Sequence, residues 1–429
     1  MELKFRTPRG TKDILPDEVW KWHFVENRLR ELFRAYRFEE IRTPVFEETE
    51  LFARGIGQTT DIVQKEMYTF VDKGGKSFTL RPEMTASVMR AFLQHHLGEQ
   101  RAVQKLYYLA PMFRQERPQA GRLRQFHQYG VEIIGTADAS ADAEVIVLAM
   151  EILHSLGVHG LTLKLNSVGC PRCRPVYRKV LQEELRPVLN RLCADCQKRY
   201  TTNPLRILDC KRETCRTLTE DVSPIEQYLC EDCRRHFGQV RSLLDGAGVA
   251  YVVDKRLVRG LDYYTRTAFE IVTDQLGSQD AVCGGGRYDL LSVELGAQEV
   301  PGVGFAAGME RLIALMEKLN VFPPAERKLD LYLIGLGEQA RSWCFRQAQQ
   351  LRRQGLVCEL DYQGRSLKAQ MRDANKLGAA FVIIVGEEEL NRQAAVLKQM
   401  ETGEQEEVPM PVLADALQKR ITHLASAEA

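Results

Sequence analysis

The sequence has no apolar run near the length of about 18 residues that a membrane-spanning helix needs. Its longest greasy stretch, Val145 to Val158, is interrupted by Glu151 and His154. The opening residues, Met1 to Gly10, carry charges and no apolar core of a secretory leader. A cytoplasmic protein with no membrane association is expected. An excess of charge of either sign is also missing: 59 Lys and Arg stand against 58 Asp and Glu. That excludes a uniformly basic coat for nucleic acid but not a local basic groove, which acidic residues elsewhere would offset. Internal repeats and low-complexity segments are absent too. Eleven cysteines in a long chain without an export signal read as reduced thiols or metal ligands before disulfides.

What is present is a globular composition, with 44% hydrophobic and 27% charged residues over 429 positions. That length suggests two to three domains at about 150 residues each. After Pro16-Asp17, the residues Val25, Leu29, Leu32, Phe33 and Tyr36 recur at helical spacing. Phe38 to Val45, Met67 to Val71, Phe78 to Arg81, Leu106 to Phe113 and Tyr129 to Ile134 read as strands. A helix over Asp142 to Leu156 and a strand over Thr162 to Asn166 follow. Strand-like text returns at Ala250 to Asp254, Ala268 to Thr273 and Ala281 to Cys283, where Gly284-Gly285-Gly286 is expected to break it. The connections are irregular. The fold class is therefore α+β, a mostly antiparallel sheet flanked by helices. Residues 170–245 interrupt this core (1–325) as an inserted, mostly helical subdomain. After Phe322-Pro323-Pro324, strands and helices alternate, which gives a small α/β domain over 326–429.

Three segments carry chemistry. Phe113-Arg114-Gln115-Glu116 ends an apolar strand, where an arginine fork can grip a phosphate or carboxylate. A basic loop, Arg117 to Arg124, leads to Gln125-Phe126-His127-Gln128 and a second strand bearing Glu132. Taken alone, this also reads as a surface hairpin with salt bridges. The small residues Gly302, Gly304, Ala306, Ala307 and Gly308 precede a helix bearing Arg311. They admit a ligand or another backbone at close range, or simply tight core packing. Leu257 to Thr265 gathers Arg259, Asp262, Tyr263 and Tyr264, a set suited to a polar ring.

In combination, the Arg-x-Glu strand end with its basic loop and the Gly-rich strand with its helix-borne Arg311 resemble motifs 2 and 3 of class II aminoacyl-tRNA synthetases. Leu257 to Tyr264 is similar to the histidine loop of the histidyl-tRNA synthetase family. Arg9-Gly10-Thr11-Lys12-Asp13-Ile14-Leu15-Pro16 and Thr79-Leu80-Arg81-Pro82-Glu83-Met84-Thr85 resemble its opening signature and its amino-acid-binding segment. Arg42-Thr43-Pro44 resembles the motif 1 proline region, which implies a homodimer. The match runs in order along nearly the whole chain.

The resemblance implies a ligase that joins L-histidine to ATP as histidyl-adenylate and then passes it to the terminal ribose of tRNA(His). It implies Arg259 and Arg114 as catalytic residues. Histidine would be held by Glu83, Thr85, Arg114, Gln128, Glu132, Arg259, Tyr263 and Tyr264. Glu83 would take the ammonium group, while Glu132 and Tyr264 would take the ring nitrogens. ATP would be held by Arg114, Glu116, Phe126 and Arg311, with Mg²⁺ carried mainly on its phosphates. The Arg117 to Arg124 loop, aided by Arg9 and Lys12, would approach the tRNA acceptor end, and 326–429 would bind the anticodon. Two rival readings are a catalytically dead paralogue, such as the regulatory subunit of ATP phosphoribosyltransferase, and a synthetase-like sensor of uncharged tRNA. The first departs from these motifs and has no anticodon domain, and the second sits in larger chains.

Cysteine usage in the insertion is not a general feature of that family. It carries Cys170-x-x-Cys173, Cys193-x-x-Cys196, Cys210-x4-Cys215 and Cys230-x-x-Cys233, which is metal-ligand spacing. Two structural Zn²⁺ sites are expected, although spacing does not say which pairs share an ion. Reduced core thiols and disulfides are the alternatives. Cys283, Cys344 and Cys358 stand alone and read as core residues.

Overall fold

The computed structural model describes residues 4–58, 60–118, 121–276, 281–324 and 329–428, with 276 and 422–428 in backbone only. The chain forms two compact units, Met1–Phe322 and Pro323–Ala429. Gln119 and Ala120 of the basic loop, and the expected domain boundary at 325/326, lie outside the described residues.

The first unit is built on an eight-stranded sheet. Its strand order is Glu39–Glu40, Gln104–Phe113, Gln125–Ile134, Gly302–Gly308, Ala281–Arg287, Thr265–Val272, Thr162–Ser167 and Val252–Val253. Only the two edge pairings are parallel. Alternation along the strands separates two faces. Tyr107, Tyr129, Val131, Ile133, Val303, Phe305 and Ala307 join a large apolar core with the helices Val19–Ala35, Ala139–Ser155 and Met309–Leu319. In the first of these helices Val25, Leu29 and Phe33 are all buried, as their four-residue spacing predicts. The helix Ala139–Ser155 starts at Asp138, whose carboxylate accepts the Ser140 amide at 2.8 Å.

The intervening residues face the other way. Gly302, Gly304, Ala306 and Gly308 pair in register with Ile134, Glu132, Gly130 and Gln128. Gly284 and Gly286 pair with Ala306 and Gly304. Small residues thus pave one face of the sheet centre, and they do so because that face carries the site. Contrary to expectation, the strand Ala281–Arg287 runs straight through the three glycines. Glycine forms strands poorly, which is why sequence text suggests a break there. Sheet pairing on both sides overrides that preference.

Other boundaries shift. Of Phe38 to Val45 only Glu39–Glu40 pairs, and of Ala250 to Asp254 only Val252–Val253. A separate three-stranded sheet joins Phe46–Glu48, Ser77–Leu80 and Tyr68–Val71. The insertion has helices and no strand: Cys173–Leu185, Ala194–Thr202, Glu213–Leu218 and Glu231–Gly246, with short 3-10 turns between them. It has its own core of Tyr177, Leu181, Leu185, Ile207, Leu208, Ile225 and six of the eight cysteines.

A buried charge network locks the helix Glu231–Gly246 to the sheet unit. Asp142 accepts from Arg287 Nε (3.2 and 3.1 Å) and faces His236 Nε2 at 3.2 Å. Arg287 is fully buried and also donates to Asp289 (3.0 Å) and to the Thr136 and Asp138 carbonyls. Burial raises the Asp142 pKa, but its hydrogen bond with His236 and the Arg287 charge outweigh that and leave it lowered.

The second unit has a five-stranded sheet in the order Cys358–Leu360, Leu329–Gly335, Ala379–Val385, Ala394–Gln399, Gln405–Pro409. The first three strands are parallel, and the helices Glu338–Arg353 and Leu367–Lys376 connect them. The last two form an antiparallel hairpin that the sequence reading does not anticipate. The isolated cysteines Cys283, Cys344 and Cys358 are all buried.

Candidate active site

One cavity of about 380 Å³ opens over the glycine-paved face, and all eleven residues singled out for histidine, ATP or catalysis line it. Glu83 stands just before the helix Thr85–Gln94. Its carboxylate caps that helix, accepting the Thr85 amide at 2.8 Å and the Ala86 amide at 3.0 Å. Burial raises its pKa, and the two amide bonds pull back only part of the way. Glu132 lies beside it on the sheet. It accepts from Thr85 Oγ1 (2.7 Å) and from the Tyr288 hydroxyl (2.5 Å). Burial pushes the Glu132 pKa up to about 8, even with those two hydrogen bonds opposing.

Tyr263 and Tyr264 pack against each other, with ring centroids 4.7 Å apart. Tyr288 meets Tyr263 edge-on at 5.8 Å. Arg259 reaches in from the same loop, and its Nη1 donates to Glu270 at 2.8 Å. Its guanidinium carbon sits 5.8 Å from the Tyr264 ring centroid. Burial disfavours its charge, but the Tyr264 hydroxyl and the Glu270 carboxylate offset that and raise its pKa further. Gly284 makes room for this arginine. A Cβ there would stand 2.3 Å from a guanidinium nitrogen. Likewise a Cβ on Gly304 would stand 1.9 Å from Glu132 Oε2, and one on Gly130 would stand 2.4 Å from the Tyr108 hydroxyl. The paving therefore admits the site's own side chains as well as a ligand.

At the other end, Arg114 and Glu116 lie just past the strand end at Phe113. Arg114 Nε donates to the Pro82 carbonyl at 2.9 Å, and its guanidinium carbon is 5.3 Å from the Phe126 ring centroid. Glu116 stands 3.7 Å from Arg114 and 3.3 Å from Arg122. Arg311, in the first turn of Met309–Leu319, donates to the Ala281 carbonyl and, at 3.3 Å, to the Gly121 carbonyl. The opening segment docks on the same loop, where Arg124 N donates to the Gly10 carbonyl at 2.6 Å. Lys12 instead pairs with Glu18 at 2.5 Å and stays exposed.

Sequence reasoning missed Tyr108, Glu270, Tyr288 and Glu310. Glu310 accepts the His127 amide (2.9 and 3.0 Å) and faces its Nδ1 at 2.9 Å. Strand alternation was the available signal for Glu270, since it sits opposite Gly284 in the sheet. Three cavity residues hold buried polar atoms without a partner: Arg259 Nε, Gln128 Oε1 and Tyr108 Oη. Such atoms need a partner, which a ligand or ordered water can supply.

An antiparallel sheet whose polar cavity is lined by Arg114, Arg259 and Arg311, followed in sequence by a separate α/β unit, is the architecture of class II aminoacyl-tRNA synthetases. Comparison with known proteins narrows this. The histidyl-tRNA synthetase family model matches residues 10–312, and an anticodon-binding domain model matches 330–420. The histidine–tRNA ligase of Desulforamulus reducens is 53% identical over 94% of this chain and 96% of its own length. That of Caldanaerobacter subterraneus subsp. tengcongensis is 52% identical over 97% and 99%. The crystal structure of Staphylococcus aureus histidyl-tRNA synthetase superposes with a TM-score of 0.82 at 40% identity, covering 96% of this chain and 99% of that one. The chain belongs to the histidyl-tRNA synthetase family. The matched anticodon-binding segment and the intact cavity favour the ligase reading over a regulatory paralogue.

Proposed function

We propose that the protein activates L-histidine with ATP and transfers it to tRNA(His), and that the cavity residues divide this work by position. The observation that carries the reading is the set of unsatisfied groups, Gln128 Oε1 and Arg259 Nε, beside Glu132 and Tyr264 in one enclosure. A ring with a nitrogen at each end suits Glu132 and Tyr264 as its two partners. A site built around such partners rejects apolar rings, which would leave its polar groups unpaired. Glu83 still has lone pairs free for the ammonium group, with Thr85 beside it.

In the first step a histidine carboxylate oxygen attacks the α-phosphorus of ATP. The bond to the bridging oxygen breaks, and pyrophosphate leaves. Arg114 and Arg259 hold the histidine carboxylate and the α-phosphate oxygens while negative charge builds there. Glu116 and Phe126 receive the adenine, and Arg311 the far side of ATP. In the second step the terminal ribose hydroxyl of the tRNA attacks the carbonyl carbon, and AMP leaves. Every cavity carboxylate already has a partner: amides for Glu83, hydroxyls for Glu132, and Arg122, Arg259 and His127 for Glu116, Glu270 and Glu310. As the family resemblance implies, Mg²⁺ would be carried mainly on the ATP phosphates, where it would offset part of the triphosphate charge.

Phosphate contacts from the 117–124 loop and from the 329–428 unit would give tRNA affinity its salt dependence. The homodimer draws support from an apolar face on the three-stranded sheet. There Phe46 and Phe70 remain 48% and 43% exposed, beside exposed Val45 and Val71. Among the described residues no helix is long and apolar enough to cross a membrane, and a cytoplasmic location follows from the substrates proposed. Incubation with radiolabelled histidine, ATP and a tRNA(His) transcript tests the reading. Charged tRNA is expected, and its absence with folded protein would refute the transfer step.

A further inference from the structure

The insertion folds its four cysteine pairs into two separate quartets. One is Cys170, Cys173, Cys230 and Cys233, and the other is Cys193, Cys196, Cys210 and Cys215. Within each quartet all four sulfurs lie within 4.8 Å of one another. Cys170 Sγ is 3.6 Å from Cys173 Sγ and 3.8 Å from Cys230 Sγ, and Cys193 Sγ is 3.9 Å from Cys210 Sγ. Four sulfurs about 2.3 Å from a central Zn²⁺ stand about 3.8 Å apart at the corners of a regular tetrahedron. A disulfide needs its sulfurs about 2.05 Å apart, and all eight cysteines are free. A purely hydrophobic role would scatter the sulfurs among the leucines of the insertion core. Instead they gather in fours, and backbone amides point at them: Cys230 N at Cys173 Sγ (3.1 Å) and Cys193 N at Cys215 Sγ (3.3 Å). Amide donors of this kind suit thiolates held on a metal.

We propose that the insertion carries two nested structural zinc centres with this pairing, and that the inner one braces the loop bearing Arg259, Tyr263 and Tyr264. The bracing half rests on the ligase reading, whereas the metal half does not. The outer centre joins the start of the insertion to the start of its last helix, Glu231–Gly246, 60 residues later. The inner centre ties Cys210 and Cys215 to the helix Ala194–Thr202. The segment around those two cysteines grips the loop at both ends. Arg256 donates to the carbonyls of Leu208 (3.0 Å), Arg216 and Thr219 (3.2 Å each). Asn203 Nδ2 donates to Asp262 Oδ1 at 3.0 Å. Binding one Zn²⁺ converts four thiols to thiolates and releases four protons, with no change of oxidation state.

Metal analysis of the full-length protein from zinc-supplemented cells tests the sites. Two zinc equivalents per chain are expected, and one or fewer would overturn the two-centre proposal. Changing Cys170, Cys173, Cys230 and Cys233 together to serine is expected to leave one equivalent. Changing Cys170, Cys173, Cys193 and Cys196 is expected to leave none, because each centre then loses half its ligands. The reverse pattern would overturn the pairing. The wild-type chain loaded with Co²⁺ gives a readout that does not depend on how the variants fold. Two equivalents with thiolate charge-transfer and intense tetrahedral d–d bands are expected, and bands of an octahedral oxygen-ligated ion would overturn the proposal. For the bracing, Cys210→Ser with Cys215→Ser is expected to expose 254–264 to limited proteolysis. Unchanged protection after loss of one zinc would overturn that half and leave both the zinc sites and the ligase reading standing.

Discussion

Eight hydrogen-bonded strands, apolar on one face, hold the catalytic cavity in shape, and its polar residues sit on glycine-paved ground between two cores. The insertion has no sheet, short helices, and a core in which cysteines take up much of the lining. The first region buries a large apolar core on one face of its sheet. The second has about 75 residues and a thin core, the size range in which small folds use metals or disulfides. The two regions meet where Phe237, Val240 and Leu244 enter the sheet core, at the Asp142–Arg287–His236 network, and at the loop carrying Arg259. This contrast gives the pairing of regions a division of labour: the sheet supplies the floor of the site, and the insertion hydrogen-bonds the loop that lines its side.

The largest effect should come from breaking the joint. Asp142→Ala leaves Arg287 buried without its main partner and should cost about 3–5 kcal/mol, as loss of one member of a buried ion pair does. Denaturant unfolding would read this, and a loss under about 1 kcal/mol would show that the buried network contributes little to stability. Next, Arg259→Ala should slow adenylate formation by about 10²–10³, the usual cost of one transition-state charge contact. Histidine should still bind by calorimetry, since Glu83, Glu132 and Tyr264 remain. An equal collapse of binding would make Arg259 a ground-state or structural group.

Smaller effects probe the floor. Gly304→Ala drives a Cβ against Glu132 Oε2 and the Val131 carbonyl, 1.9 and 2.3 Å away, and should destabilise by about 1–3 kcal/mol. A thermal melt at or above wild type would mean the strand yields without cost. The smallest effect is a matter of pH. Glu132 has its folded pKa raised from 4.5 to about 8. The folded state keeps this proton where the unfolded state has lost it. Stability from this group is therefore full below about pH 4.5 and falls as pH rises toward 8. Glu132→Gln should remove that component, so that its melting temperature declines less than wild type between pH 5 and about 8. Parallel pH curves for the two proteins would contradict the buried titration.

The cavity lining was legible mainly through motifs in order and the family resemblance they carry; by type and place alone, Arg114 at a strand end and Arg311 near a helix start read only as general anion-binding or solvated groups. Periodicity located the sheet strands and the α/β alternation of the second unit. It failed where tertiary pairing overrode local preference. Gly284 to Gly286 read as a break, but they are strand residues that make room for Arg259 and Tyr264. The hairpin Ala394–Gln399 and Gln405–Pro409 turns at Gly403, in a left-handed conformation, amid residues with little strand character. Tyr288 and Tyr108 look like core tyrosines in sequence, and only the fold brings the Tyr288 hydroxyl to Glu132. The cysteine spacing marks four pairs but not how they combine. Partners 60 residues apart, such as Cys170 and Cys230, meet only through the path of the helices between them.

On this reading a single cavity both selects histidine and activates it. ATP–pyrophosphate exchange, run without tRNA and with each amino acid in turn, tests it most directly. Exchange with histidine alone is the predicted result. Exchange with a different amino acid, or with none from folded and zinc-replete protein, would contradict the account.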